Sequence, residues 1–410
     1  MKRLMFAAGV LSLLAFGACK KDAQKAPENV KAGVLPDGST LPGIISTQVE
    51  LVANGTYYLD GKTYVQPGGD LVINAGVTVK GISKSTPAEA SALVITRGGQ
   101  IHADGTNGTI VFTSNNATPA VGDWGGIVIL GNAPTNQSNP TIEGIDLPTL
   151  PPGVDVHYGG TTSGDNSGVL KYVRIEWAGA NVSTNNELNS LTLGGVGSGT
   201  TIDHVQASYG RDDAFEFFGG TVNASYLVSL NTNDDILDFD HGYQGSVQYV
   251  LGIRRSGFTY NDANGIESDN EATGTCPALT PITNAQVSNA TFIGGQNAAF
   301  AGTLNAGRLR RSTGYTITNS IFLGYNNGFA VEGACTAGTF TGNVVHAFSS
   351  LGTIPAGNET HLNGTDSNAD IALVDPFAVG ANFDPSETQH PGKGAIVGGN
   401  YWYLGWTAGL

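Results

Sequence analysis

The sequence predicts an all-β fold built as a solenoid of parallel coils, and three observations carry that prediction. Val205, Leu227 and Tyr249 lie 22 residues apart, each following a small polar run into a short strand-like stretch. The acidic run Asp212-Asp213-Ala214-Phe215-Glu216-Phe217 returns on the same period as Asp234-Asp235-Ile236-Leu237-Asp238-Phe239. The 410 residues include 59 glycines and only 13% charged residues, with 40% apolar, a composition suited to many tight turns between short strands. A period in the low twenties reads as one coil per repeat, and each coil buries its apolar face only by stacking on its neighbours.

In chain order, the first element is a targeting segment. Lys2 and Arg3 precede an apolar stretch from Leu4 to Phe16, and Gly17-Ala18-Cys19 reads as a small-residue cleavage site, so residues 1–18 are expected to be a signal peptide. That stretch is too short to span a bilayer. Phe16-Gly17-Ala18-Cys19 resembles the lipobox of bacterial lipoproteins, and the resemblance implies cleavage before Cys19, lipidation of its thiol, and membrane lipid as a partner. Residues 19–45 are polar and broken by Pro27, Pro36 and Pro42, the composition of a flexible tether. Residues 46–410 are expected to form a single domain, because a solenoid grows by adding coils rather than domains.

Within that domain, Leu71-Val72-Ile73 and Leu93-Val94-Ile95 repeat the 22-residue spacing. Gly68-Gly69 and Gly98-Gly99 permit positive φ where the chain must corner. Strands this short on such a period suit a parallel coil, with equivalent strands about 4.8 Å apart. Further on, Val287 to Ile293 is echoed by Ile317 to Leu323, and Asn343-Val344-Val345 follows; Asn289, Asn319 and Asn343 are expected to stack at one corner. The Pro-rich run from Pro134 to Asp165 and the run from Ala272 to Pro281 read as loop insertions, and residues 350–395 lose the repeat. The aromatic end, Tyr401-Trp402-Tyr403-Leu404-Gly405-Trp406, is expected to cap the open end of the core, where strand edges would otherwise be exposed.

The runs Gly122-Asp123-Trp124-Gly125-Gly126-Ile127-Val128-Ile129-Leu130-Gly131, Leu170 to Glu176, and Leu191 to Val205 followed by the Asp-Asp motif resemble the right-handed parallel β-helix lipoproteins of Bacteroidota. The resemblance covers most of residues 45–410. It implies a right-handed, pectin-lyase-like β-helix displayed at the bacterial outer membrane, facing the periplasm or the cell surface, and it implies no particular reaction.

Strand alternation divides the acidic coils into faces. Phe215, Phe217, Leu237 and Phe239 form the inward set, so Asp212, Ala214, Glu216 and Phe218 are expected outward, above Asp234, Ile236, Asp238 and Asp240. At an offset of 29, Glu267 falls over Asp238 and Asp269 over Asp240, while the next downstream strand is read at Asn297 to Gly302, without carboxylates. Carboxylates about 5 Å apart repel by roughly 1 kcal/mol per pair even in water-like surroundings. Such a patch holds a cation, raises pKa values, meets a basic partner, or simply serves as a solvated acidic face. The candidate metal ligands are Asp212, Glu216, Asp234, Asp238, Asp240, Glu267 and Asp269, with calcium, a hard ion taking six to eight oxygens, as the expected ion. Asp213 and Asp235, at the strand starts, are expected to cap turn amides.

A net charge of −15 disfavours phosphate backbones, so nucleic acid is excluded as a partner. No phosphate loop or G-x-S-x-G elbow is present, and no organic cofactor is expected. Carboxylates one coil apart approach the separation used by retaining glycosidases, which makes Glu216, Asp238, Asp240 and His241 the catalytic candidates. Asn231-Thr232-Asn233-Asp234-Asp235 with Asp240-His241-Gly242 resembles polygalacturonase signatures, though compressed into one coil, with Asp240 in place of a Gly and no Arg-Ile-Lys element. A lyase would need a base such as Arg254, Arg255, Arg308 or Arg310. Cys276 and Cys335 leave the same side of the stack, placed either for a disulfide or as two free thiols. The function expected is a lipid-anchored envelope module binding glycan or protein ligands with calcium; its rivals are a polysaccharide hydrolase or lyase and a purely structural envelope protein.

Overall fold

Alternating apolar residues at a coil-length period become strand register in the computed structural model. The structure describes residues 29–30 and 33–410, apart from 146–149, 184–185, 259, 261–262, 299–304, 375, 379, 381–382 and 384–388. Among the described residues, 27 short strands form one continuous sheet. Successive coils pair in parallel, as in Leu191↔Phe215, Phe215↔Leu237 and Leu237↔Ile266. The one antiparallel strand pair among the described residues is the small hairpin of Asn181–Ser183 with Asn186–Glu187. No helix among the described residues is long and apolar enough to cross a membrane.

The inward positions fill a core that runs the length of the stack. Phe217 and Phe239 lie 5.2 Å apart between ring centroids, Tyr243 packs on both at 4.8 and 5.3 Å, and Phe292 stacks on Phe322 at 5.0 Å. Such ring pairs contribute about 0.5–1.5 kcal/mol beyond their buried area.

The long strands bend at one residue each. Tyr172, His204, Tyr226, Tyr249, Asn289 and Asn319 have φ between 49° and 58°, and pairing skips each of them before resuming on the next face. Bulky side chains are rare in this left-handed region. Here the rings stack on one another, Tyr172 on His204 at 4.3 Å, His204 on Tyr226 at 4.5 Å and Tyr226 on Tyr249 at 5.0 Å, which offsets the backbone strain.

Four expectations shift. Tyr249 is the partner of Tyr226, whereas Val205 and Leu227 continue to Val250, because the third coil is one residue longer. Asn289 and Asn319 do share a corner, but register places Gly342 beside Asn319, and Asn343 accepts the Ser320 N–H at 2.9 Å. The tether boundary at 45 moves toward the N-terminus, since Gly33–Leu35 already pairs with Gln48–Leu51; residues 1–28, Cys19 included, lie outside the described residues. The aromatic C-terminal segment is a cover, laid along the side of the stack rather than over its open end. Trp402, Tyr403 and Trp406 pack on Val228, Leu230, Leu251, Ile253, Ile293 and Leu323, and the Ala408 N–H donates to Gln206 at 2.9 Å. The outward apolar stripe of those strands needed covering more than the strand edges did.

Candidate functional site

Parallel register gathers one outward position from each coil into a single column. Along the axis it reads Tyr64, Val94, Val128, Thr192, Glu216, Asp238, Glu267 and Arg308. The column thus changes from apolar to acidic to basic. Over the apolar part lies the Pro134–Asp165 insertion, whose Ile142, Ile145, Val156 and Tyr158, joined by Val182 and Leu188, pack on Tyr64, Val94, Val128 and Leu130. His241 anchors the insertion's rim. Its Nδ1 is 2.7 Å from the Tyr158 hydroxyl, and its carbonyl accepts from Thr135 Oγ1 at 2.8 Å and from the Asn136 N–H at 3.0 Å.

Beside the column, at the turn entering each acidic strand, side chains form a ladder. Asn189 accepts the Asp213 N–H at 3.1 Å, Asp213 accepts the Asp235 N–H at 2.8 Å, and Asp235 accepts the Asn264 N–H at 2.6 Å. Asp213 and Asp235 therefore do cap backbone amides, each in the following coil. Ala214 and Ile236, expected outward, are fully buried in the main core, because strict alternation holds along a strand and fails at the corner that precedes it.

Of the seven predicted ligands, four converge. Oxygens of Asp212, Asp213 and Asp234 lie within 4.8 Å of one another, and so do oxygens of Asp213, Glu216 and Asp238. Asp213 belongs to both groups, and the sequence reading missed it as a ligand because its capping role accounted for it. Calcium bonds oxygen at 2.3–2.6 Å, so oxygens about 5 Å apart can share one ion. Burial and mutual repulsion act together: desolvation, then the charges of Glu187, Glu143 and Asp235, raises the Asp212 carboxyl, and desolvation reinforced by Glu216 and Glu267 pushes Asp238 well above the usual carboxylate range. Asp213 and Glu216 are raised for the same reason. The Oδ1 of Asp238 is buried without a hydrogen-bond partner. An oxygen-rich pocket with a buried, unpartnered carboxylate oxygen fits a hard cation.

The other three predicted ligands do not join this group. Glu267 is paired with Arg310, and Asp269, 6% exposed, is held by Arg310 Nε at 2.8 Å and Arg311 at 2.7 Å. The downstream strand is Asn305–Leu309, not 297–302, so the neutralising arginines fall directly beside the carboxylates. A loop of unpredictable length displaced the expected register. Asp240 instead accepts the N–H of His241 at 2.6 Å; burial leaves its carboxyl at about 7, and burial lowers His241 to about 4. Glu143 and Glu187, whose charges bear on Asp212, also went unrecognised, since neither sits in the repeat.

Arg254 and Trp124 are held inside the stack. Arg254, 1% exposed, donates to the Asn264 carbonyl at 2.9 Å. Trp124 is fully buried, with its indole N–H on the Glu176 carbonyl at 2.8 Å. Cys276 and Cys335 are joined as a disulfide, with Cα atoms 5.8 Å apart.

Comparison with a family model agrees on the architecture. No curated protein matches the sequence. Among solved structures, the chain is similar to the crystal structure of PfbA, a surface adhesin of Streptococcus pneumoniae, at 10% identity and a TM-score of 0.32, covering 78% of this chain and 84% of that one. A family model described as a pectate-lyase-like β-helix domain matches residues 43–407. With that match spanning nearly the whole coil stack, the chain belongs to the pectate-lyase-like β-helix domain family.

Proposed function

We propose that this protein is a non-catalytic binding module of the bacterial cell envelope, lipid-anchored through Cys19, that holds calcium in the Asp212, Asp213, Glu216, Asp234 and Asp238 cluster and binds glycan or protein ligands. The resemblance to outer-membrane lipoproteins supports the address, and the acidic cluster supports the ion. The observation that carries the reading is the Asp238 carboxylate, which has an oxygen within 4.8 Å of Asp213 and Glu216 oxygens and whose Oδ1 is buried without a hydrogen-bond partner. A non-catalytic role is supported by the surroundings of the candidate acids. The insertion covers the upstream column, and arginines neutralise Glu267 and Asp269 downstream, which leaves little open carboxylate for a polymer to reach.

A polysaccharide hydrolase or lyase is the second reading, and it rests on Asp240, a carboxyl at about 7 that retains 18% side-chain exposure beside His241. A carboxyl raised to near neutrality and open to water can serve as a general acid.

Melting the protein with calcium or chelator tests the first reading. Saturation at a hundredfold excess over Kd stabilises by about 2.7 kcal/mol, and Asp238→Asn is expected to abolish the response. A wild-type melt indifferent to both additions removes the ion. Assaying a polysaccharide panel for new reducing ends or unsaturated products separates the two readings, since turnover lost in Asp240→Asn would establish catalysis.

A further inference from the structure

A cavity of about 410 Å³ opens in the C-terminal cover and shares no residue with the acidic cluster. That volume falls within the roughly 300–1,000 Å³ typical of small-ligand sites. Tyr401, Tyr403, Leu404, Gly405, Thr407 and Gly409 are among its walls. The two tyrosine rings stand 6.3 Å apart and nearly at right angles. Tyr403 is buried, while Tyr401, 36% exposed, and Leu404, 63% exposed, face water at the mouth. Gly405 and Gly409 have φ of 87° and 78°, a backbone that side chains rarely adopt, and they leave the main chain uncovered. A Cβ on Gly409 would stand 2.9 Å from Leu230 and 3.0 Å from the Tyr209 hydroxyl, so this wall seats on the stack only as glycine. Thr407 Oγ1 donates to the Tyr403 carbonyl at 2.7 Å, which leaves its lone pairs as acceptors.

We propose that this cavity binds the end of an uncharged glycan, a neutral sugar with its C–H face against the Tyr401 and Tyr403 rings and its hydroxyls toward Thr407 and the glycine main chain. A sugar ring is apolar on its face and polar at its edge, and tyrosine offers the matching pair of surfaces, an apolar body with a polar tip. Among the described residues no charged side chain lines the cavity. An acidic sugar would lose the hydration of its carboxylate there without gaining a partner, and the net charge of −15 would repel it on approach. The nearby Arg255 guanidinium braces the wall, donating to the Gly409 carbonyl and, at 3.4 Å, to that of Ala378. A purely apolar ligand fits less well, because it would cover the Thr407 hydroxyl and the glycine backbone without bonding them. The inference rests on the glycan branch of the function proposed above and gives that branch a place; the calcium branch is independent of it.

Titration of the mature protein with methyl glycosides of glucose, galactose, mannose and N-acetylglucosamine tests the proposal, read by calorimetry and by tryptophan emission, since Trp402 lies 6.2 Å from Tyr403. One site per chain is expected for at least one neutral glycoside, with glucuronate and galacturonate bound at least ~10-fold more weakly. Tyr401→Ala should weaken binding about tenfold, while Asp238→Asn and chelator leave it unchanged. Should Tyr401→Ala fail to fold, Leu404→Glu, at an exposed position, carries the same expectation, because it sets a charge in the mouth. Glycosides bound by both variants as by the wild type overturn this site, though glycan binding then survives elsewhere on the molecule. Absence of any binding overturns it as well, and retention of the wild type on cellulose or chitin then decides whether the glycan branch falls with it. Preference for the uronates, or for a fatty acid, overturns the neutral sugar as the ligand.

Discussion

At the scale of single residues, Asp238 is the side chain on which most depends. Its carboxyl is buried beside Asp213 and Glu216 and raised well above the usual carboxylate range, so ionising it in the ion-free protein costs both desolvation and repulsion. Asp238→Asn removes that ionisable group, and at pH 8 without calcium the variant is expected to melt above the ion-free wild type; differential scanning calorimetry checks this, and a lower melting temperature would show that the carboxyl stabilises the fold by itself. The core behaves conventionally. Phe239 is fully buried and touches the rings of Phe217 and Tyr243, and its replacement by Ala should cost about 3–5 kcal/mol in chemical denaturation.

At the scale of elements, the repeat was legible and the interruptions were not. Phe215, Glu216 and Phe217 could be set against Leu237, Asp238 and Phe239 from the sequence, because a parallel coil turns a fixed spacing into contact. Beyond Glu267 a loop of irregular length intervenes, and no periodicity marks Asn305–Leu309 as the next coil, so the arginine partners of Glu267 and Asp269 were invisible. The corner residues were equally opaque. Asp213 caps the next coil and also faces the ligand group, and strand alternation has no place for a side chain that does both. The C-terminal segment makes its own prediction. Its removal bares the outward face around Val228, Leu251 and Ile293, and a chain shortened before residue 395 is expected to bind a hydrophobic dye and to aggregate. Reduction of the Cys276–Cys335 bridge, which spans 59 residues, should lower stability by up to about 4 kcal/mol, measured by denaturation with and without reductant.

At the scale of the whole molecule, burial of so many acids gives stability an unusual slope against pH. Burial pushes the Asp240 carboxyl up to about 7 in the fold from its ordinary 3.8, so its contribution is fully present below about 3.8 and is lost as pH rises through 7. Asp213, Glu216 and Asp238 are raised in the same direction. His241, lowered to about 4 from 6.5, opposes them, since its contribution is present above 6.5 and lost as pH falls through 4. Several carboxyls outweigh one imidazole, so the calcium-free protein is expected to be more stable at pH 5 than at pH 8, with calcium narrowing the difference; urea midpoints at the two pH values decide it. A midpoint that rises from pH 5 to pH 8 without calcium would mean that the acids are solvated after all.

The contact between Gln206 and Ala408 joins the middle of the chain to residues 202 positions later. A polypeptide emerging amino end first can wind its coils in succession, yet that lateral seam stays unzipped until residues 395–410 have followed. Nascent or clipped chains therefore display a sticky flank that finished ones conceal, so maturation ends with a sideways latch rather than with the last turn of the spiral.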